Sequence, residues 1–212
     1  MEAILDLLQG DQGRTFVSGA SKQLGIDSQQ ATAAVTAALP LILGALKNNA
    51  RTDEGAQGLM KALGNPRHSS GSVLDNLGSI LGGDHIDDDV ANDGGAILGH
   101  AFRGQEQNAA GAVSRKAGIN MDQAMNLMKV AAPMVMAYLG RKASQNSVND
   151  RGGLDGLLGG LLGGLGDAPS AAASRIQDFD NNDSTVDDIA DLLGGTSGGG
   201  LGGLVGGFLK NL

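Results

Sequence analysis

The chain has no cysteine, no tryptophan, one tyrosine and four phenylalanines among 212 residues. Without cysteine there is no disulfide framework, no thiol nucleophile and no thiolate metal site, which fits a reducing compartment. With so few aromatics, a core must be built from Ala, Leu, Ile, Val and Met. Basic clusters are missing too. Lys and Arg number 15 against 23 Asp and Glu, a formal net charge of −8. An acidic chain repels phosphate backbones, and Arg115-Lys116 and Arg141-Lys142 are short pairs suited to solvated helix ends, so nucleic acid is not an expected partner. No run reaches the roughly 18 uninterrupted apolar residues of a membrane span. The opening "MEAILDLLQGDQGRTF" carries Glu2 and Asp6 and lacks the basic start of a secretory signal. These absences point to a cytoplasmic protein.

Catalytic constellations are also missing. His68, His85 and His100 are scattered, with no HExxH pair, and no glycine-rich phosphate loop carries its lysine. The reading is therefore non-enzymatic. His100, in the apolar context "ILGHAF", reads as a hydrogen-bonded core histidine. Met121, Met125, Met128, Met134 and Met136 read as core filler in a chain short of aromatics, although a Met-rich face can also be an adaptable binding surface.

What the chain does have is a repeat. "GIDSQQATAAVTAALPLILGALKNNA" (25–50) aligns without gaps to "GINMDQAMNLMKVAAPMVMAYLGRKA" (118–143), an offset of 93 residues. Gly25 matches Gly118, Gln30 matches Gln123 and Pro40 matches Pro133; upstream, Ile4-Leu5 matches Ile97-Leu98. Asp27 and Asn120 are N-caps, with glutamine three residues later as in a capping box. Gly25 and Gly118 suit the C′ position that ends the preceding helix. The prolines predict that each long helix is kinked into two pieces, 28–39 with 40–49 and 121–132 with 133–145. Between the repeats, "DEGAQGLMKALG" is a short helix capped by Asp53, "SVLDNLGSILGG" (72–83) is another, and "DHIDDDVANDGGA" is an acidic, solvated turn region. No alternating strand of useful length is present. The fold class is all-α: a multihelical domain over 1–147 with an internal duplication (about 4–50 and 97–143), then a Gly/Leu/Asp-rich extension over 148–212, entered through the linker-like "SVNDRGG".

"DEGAQGLMKAL", "SVLDNLGSILGG", "GGAILGHAFRG" and the paired Gly-Ile turns resemble the bacterial domain-of-unknown-function 937 family of the YidB-like superfamily, over roughly residues 1–148. The "GGAILGHAF" element is the most specific part. The resemblance implies a multihelical fold and no assigned activity.

The extension contains "GGLDGLLGGLLGGLG" (152–166). Leu154, Leu157, Leu158, Leu161, Leu162 and Leu165 fall on one helix face, and Leu201, Leu204, Val205, Phe208, Leu209 and Leu212 repeat that phase 47 residues on. Glycine costs a helix about 1 kcal/mol per residue against alanine, so these segments should be helical only when docked. The surface could be the domain's own core, another copy or a lipid. A lipid-surface helix wants Lys or Arg on its polar face, and the first segment has none between Leu154 and Leu165, so helix–helix packing is favoured. Between the two lies "DFDNNDSTVDDIADLL" (178–193), where Asp178, Asp180, Asn182 and Ser184 stand at positions 1, 3, 5 and 7 of a calcium-loop pattern. Asp183 occupies the place of the turn glycine and Ile189 that of the closing glutamate, so Asp187 or Asp188 could close the set only in a shortened loop. The competing reading is an acidic linker leading to a helix capped by Ser184. Two functions follow: a structural or protein-interaction module that self-associates through Gly-Leu helices or docks another protein, and, as the alternative, a calcium-responsive binding module.

Overall fold

In a computed structural model, residues 10–65 and 87–163 are described, and within them the chain forms seven helices and no strand. We number them α1 (Asp11–Leu24), α2 (Ser28–Asn49), α3 (Asp53–Leu63), α4 (Asp88–Phe102), α5 (Glu106–Ala117), α6 (Met121–Gln145) and α7 (Arg151–Gly163). The two longest, α2 and α6, form the centre. The others pack around them: α4 and α5 against both, α1 mainly against α2, and α3 and α7 along one end. The core is mostly aliphatic and small: Val35, Ile42, Leu43, Leu127, Met128 and Leu139 are buried, with Phe16 the principal aromatic.

Matched residues of the two halves make matched hydrogen bonds. Gly25 (φ 62°) and Gly118 (φ 65°) end α1 and α5 in the left-handed region, where glycine avoids the Cβ penalty. Ser21 and Ser114 donate their hydroxyls to the carbonyls of Ile26 and Ile119, both at 2.6 Å. Asp27 and Asn120 accept from the backbone N–H of Gln30 and Gln123 at 2.7 and 2.8 Å. Each glutamine Oε1 in turn accepts the cap residue's own N–H. Each glutamine also does a second job. Gln30 Nε2 donates to the Gly118 carbonyl and Gln123 Nε2 to the Leu24 carbonyl, both at 2.9 Å. The caps of α2 and α6 are thus laced across to the turns that end α5 and α1.

Several local expectations are corrected. Pro40 and Pro133 do not divide their helices: α2 and α6 each run through unbroken. A mid-helix proline costs about 3 kcal/mol. Here Leu39, Leu41, Ile42 and Leu43, and Ala132, Met134, Val135 and Met136, are buried on either side of it, and that packing holds the helix together. The cap of α3 is Thr52, whose hydroxyl accepts from Gly55 N at 3.1 Å; Asp53 is the first helical residue. From Asp87 on, the acidic stretch is a helix start, not a turn: Asp87 Oδ1 accepts from Asp89 N and Val90 N, and Asp88 and Asp89 occupy the first turn of α4, where the helix dipole favours them. His100 is exposed, because α4 buries Gly94, Leu98 and Ala101 on another face. Among the methionines, Met128, Met134 and Met136 are core, whereas Met121 is exposed. The segment 72–83, with Ser72 as its cap, lies outside the described residues.

Two glycines set close helix approaches. A Cβ on Gly94 would collide with the Lys129 carbonyl, so α4 crosses α6 with backbone against backbone. One on Gly55 would collide with the Asn49 carbonyl at the α2–α3 corner. The α2 helix is the one described helix long and apolar enough to cross a membrane, with a window of mean hydropathy 1.4; 61% of that window is buried inside this fold.

Candidate functional site: the seat of the Gly-Leu helix

The chain leaves α6 through a tight turn. Ser147 takes a left-handed conformation (φ 52°), and Val148 N donates back to the Ala143 carbonyl at 2.9 Å, the long bond of a Schellman-type stop. Asp150 then caps α7, its Oδ1 accepting from Gly153 N at 2.7 Å. The stretch expected to be a linker is therefore an ordered helix–helix corner, and packing continues past the composition shift at 147.

The α7 helix lies on α2 and α3, with a smaller contact to α6. Leu154, Leu158 and Leu161 are buried in the common core, and Leu157 and Leu162 pack partly against it. Of the three docking surfaces open to this segment, it takes the chain's own core. Polar groups clasp the edges. Arg151 pairs with Asp53 at 2.7 Å and also donates to the Arg51 carbonyl; Lys47 reaches Asp155 at 3.9 Å. The lysine Nζ lies over Gly159, where an added Cβ would stand 3.3 Å from it. The Arg151–Asp53 pair is largely exposed, and the Lys47–Asp155 pair is long with its carboxylate in solvent, so each contributes only a few tenths of a kcal/mol.

The energetics of α7 are closely balanced. Its six glycines (152, 153, 156, 159, 160 and 163) cost roughly 6 kcal/mol relative to alanine. Three buried leucines return roughly 4.5–9 kcal/mol on the usual scale for full burial. The helix exists because its seat exists.

Beside the seat opens a groove of about 490 Å³ between the ends of α3 and α6, lined by Met60, Leu63, Gly140, Ala143, Ser144 and Val148, with Asn149 at its rim. Its lining offers apolar contact and a few neutral polar groups. Among the described residues no three His, Asp or Glu side chains gather as a cation site would require. The calcium-pattern residues Asp178, Asp180, Asn182, Ser184 and Asp188 lie outside the described residues, as do Leu165, the whole 201–212 set, His68 and His85. Sequence reasoning missed Arg151, Asp53 and Lys47 as clasps. It also missed Asp150 as the cap of α7, and there the signal was present: a cap residue three positions before Gly153.

An all-α protein whose apolar end is closed by a glycine-leucine helix is the class defined by this fold and site. The model for the bacterial protein family of unknown function 937 matches residues 6–142. The chain belongs to that family. No curated protein and no solved structure matches it.

Proposed function

We propose that this chain is a non-enzymatic protein-interaction module that self-associates through its Gly-Leu helices. One observation carries the reading: the fold has a seat that turns a glycine-rich, leucine-phased segment into a docked helix, and the chain carries that segment pattern twice. The first copy is α7. The second, with Leu201, Leu204, Val205, Phe208, Leu209 and Leu212 in the same phase, competes for such a seat, so that each chain has one Gly-Leu helix to spare for docking on a second copy. The lining of the groove beside α7, apolar with neutral polar groups, supports a binding role rather than a chemical one. The burial of most of α2's apolar window supports α2 as a core helix rather than a membrane span, in keeping with a soluble module.

Light scattering of the full chain beside a chain ending after Gly163 tests this. The shortened chain keeps α7 and its seat. We expect the full chain to associate and the shortened one to be monomeric. Equal monomer masses for the two would contradict the reading.

A further inference from the structure

We propose that residues 201–212 are a second occupant of the α7 seat, exchanging with α7 within the same chain and freeing α7 to dock elsewhere. This rests on the self-association reading and names the site at which the second segment acts. Shifted by 47 residues, "GGLDGLLGGLLG" (152–163) becomes "GGLGGLVGGFLK" (199–210). The agreement follows what the seat demands of an occupant. The buried Leu154, Leu158 and Leu161 become Leu201, Val205 and Phe208, all apolar. Gly159, over which the Lys47 Nζ lies, remains glycine at 206. Gly152, Gly153, Gly156 and Gly160 remain glycine at 199, 200, 203 and 207. Two further changes fall on the edge clasps: Arg151, paired with Asp53, becomes Gly198, and Asp155, paired with Lys47, becomes Gly202; a third, Gly163 to Lys210, falls at the exposed end of the helix. The second segment therefore keeps the apolar row and the other glycines, trades a smaller side chain at Val205 against a larger one at Phe208, and loses two ion pairs at the edge of the seat, which contribute little. Reach is not limiting, since residues 164–200 extended at about 3.3 Å each span more than the width of a domain this size. A tethered segment also competes at an effective concentration that a second molecule does not match in dilute solution.

The absence of cysteine makes the test clean. In the full chain, Lys47→Cys with Gly206→Cys is treated with a bis-maleimide about as long as a lysine side chain. Lys47→Cys with Ser184→Cys reports tethered collision alone. Lys47→Cys with Gly159→Cys confirms that the seat is folded. The expected result is a cross-link between positions 47 and 206 within one chain, formed at least tenfold faster than between 47 and 184 and slowed to the control rate by Phe208→Asp. A 47–206 rate equal to the control, or a cross-link found only between two chains, overturns the proposal while 47–159 still forms. The mass of the same unmodified sample is read separately, so a monomer with a fast 47–206 cross-link removes self-association and leaves the exchange standing. An associated chain without that cross-link does the reverse.

Discussion

Helices α6 and α7 follow one another through a corner of five residues, yet different physics holds each in place. The α6 helix carries one glycine, Gly140, in 25 residues. It has a reciprocal capping box at its start, and its residues are buried on most sides. The α7 helix carries six glycines in 13 residues and buries a single row of three leucines. The first combines a capped start and few glycines with burial on both sides of Pro133, which carries the helix through the proline. The second takes its conformation from the surface beneath it. A module of this kind can hold a rigid body and a releasable element in one chain, because glycine removes the intrinsic helix stability that would make release irrelevant.

The largest expected effect bears on the rigid body. Gly94→Ala places a methyl group against the Lys129 carbonyl at the α4–α6 crossing. Overpacking against backbone should destabilise the whole domain by about 3 kcal/mol, visible as a lower urea midpoint. A loss under about 1 kcal/mol would mean the helices separate easily and the body is less rigid than described.

Next come the laced caps. Gln30→Glu keeps an oxygen for the Asp27 N–H but loses the donor to the Gly118 carbonyl, and Gln123→Glu does the same opposite Leu24. Each should cost about 1 kcal/mol, and the double variant about 2 kcal/mol in urea unfolding if the two act independently.

The sign reverses in α7. Gly156 and Gly160 have open space where a Cβ would go, so Gly156→Ala and Gly160→Ala should each stabilise α7 by about 1 kcal/mol. The gain should appear as slower amide exchange in α7, with little change in α6. The smallest effect is at the clasp. Arg151→Ala should cost only a few tenths of a kcal/mol, and a loss above about 1 kcal/mol would show that the ion pair with Asp53, not leucine burial, holds α7 down.

Much of this architecture was legible in the residues. Asp27 with Gln30, Asn120 with Gln123, and the glycines at 25 and 118 announce their caps and stops through local chemistry, and those caps and stops are present. The leucine phase of 154–161 marks the buried row because a helix of period 3.6 leaves few alternatives. The prolines misled because a local penalty was weighed without the burial on both sides of Pro40 and Pro133. The Asp87–Asp93 stretch misled because an acidic run was read as a turn, when a carboxylate at a helix start satisfies backbone donors; Asp87, Asp88 and Asp89 are exposed, as a solvated stretch should be. His100 misled because apolar sequence neighbours do not share its helix face. The long-range contacts were out of reach altogether: nothing local links Arg151 to Asp53 or Gln30 to Gly118, since such pairs exist only once the helices are packed. The special weight of "GGAILGHAF" in the family resemblance has a physical counterpart in Gly94, whose missing side chain lets α4 meet the α6 backbone.

The contrast between the two helices is tested most directly by native-state hydrogen exchange on the full chain, resolved at individual amides in α6 and α7. The account predicts that α7 amides exchange through a local opening, at least tenfold less protected than those at the centre of α6, and that Gly156→Ala with Gly160→Ala narrows the gap. Equal protection in the two helices, unchanged by these substitutions, would show that α7 opens only with the whole domain and would contradict a releasable Gly-Leu helix.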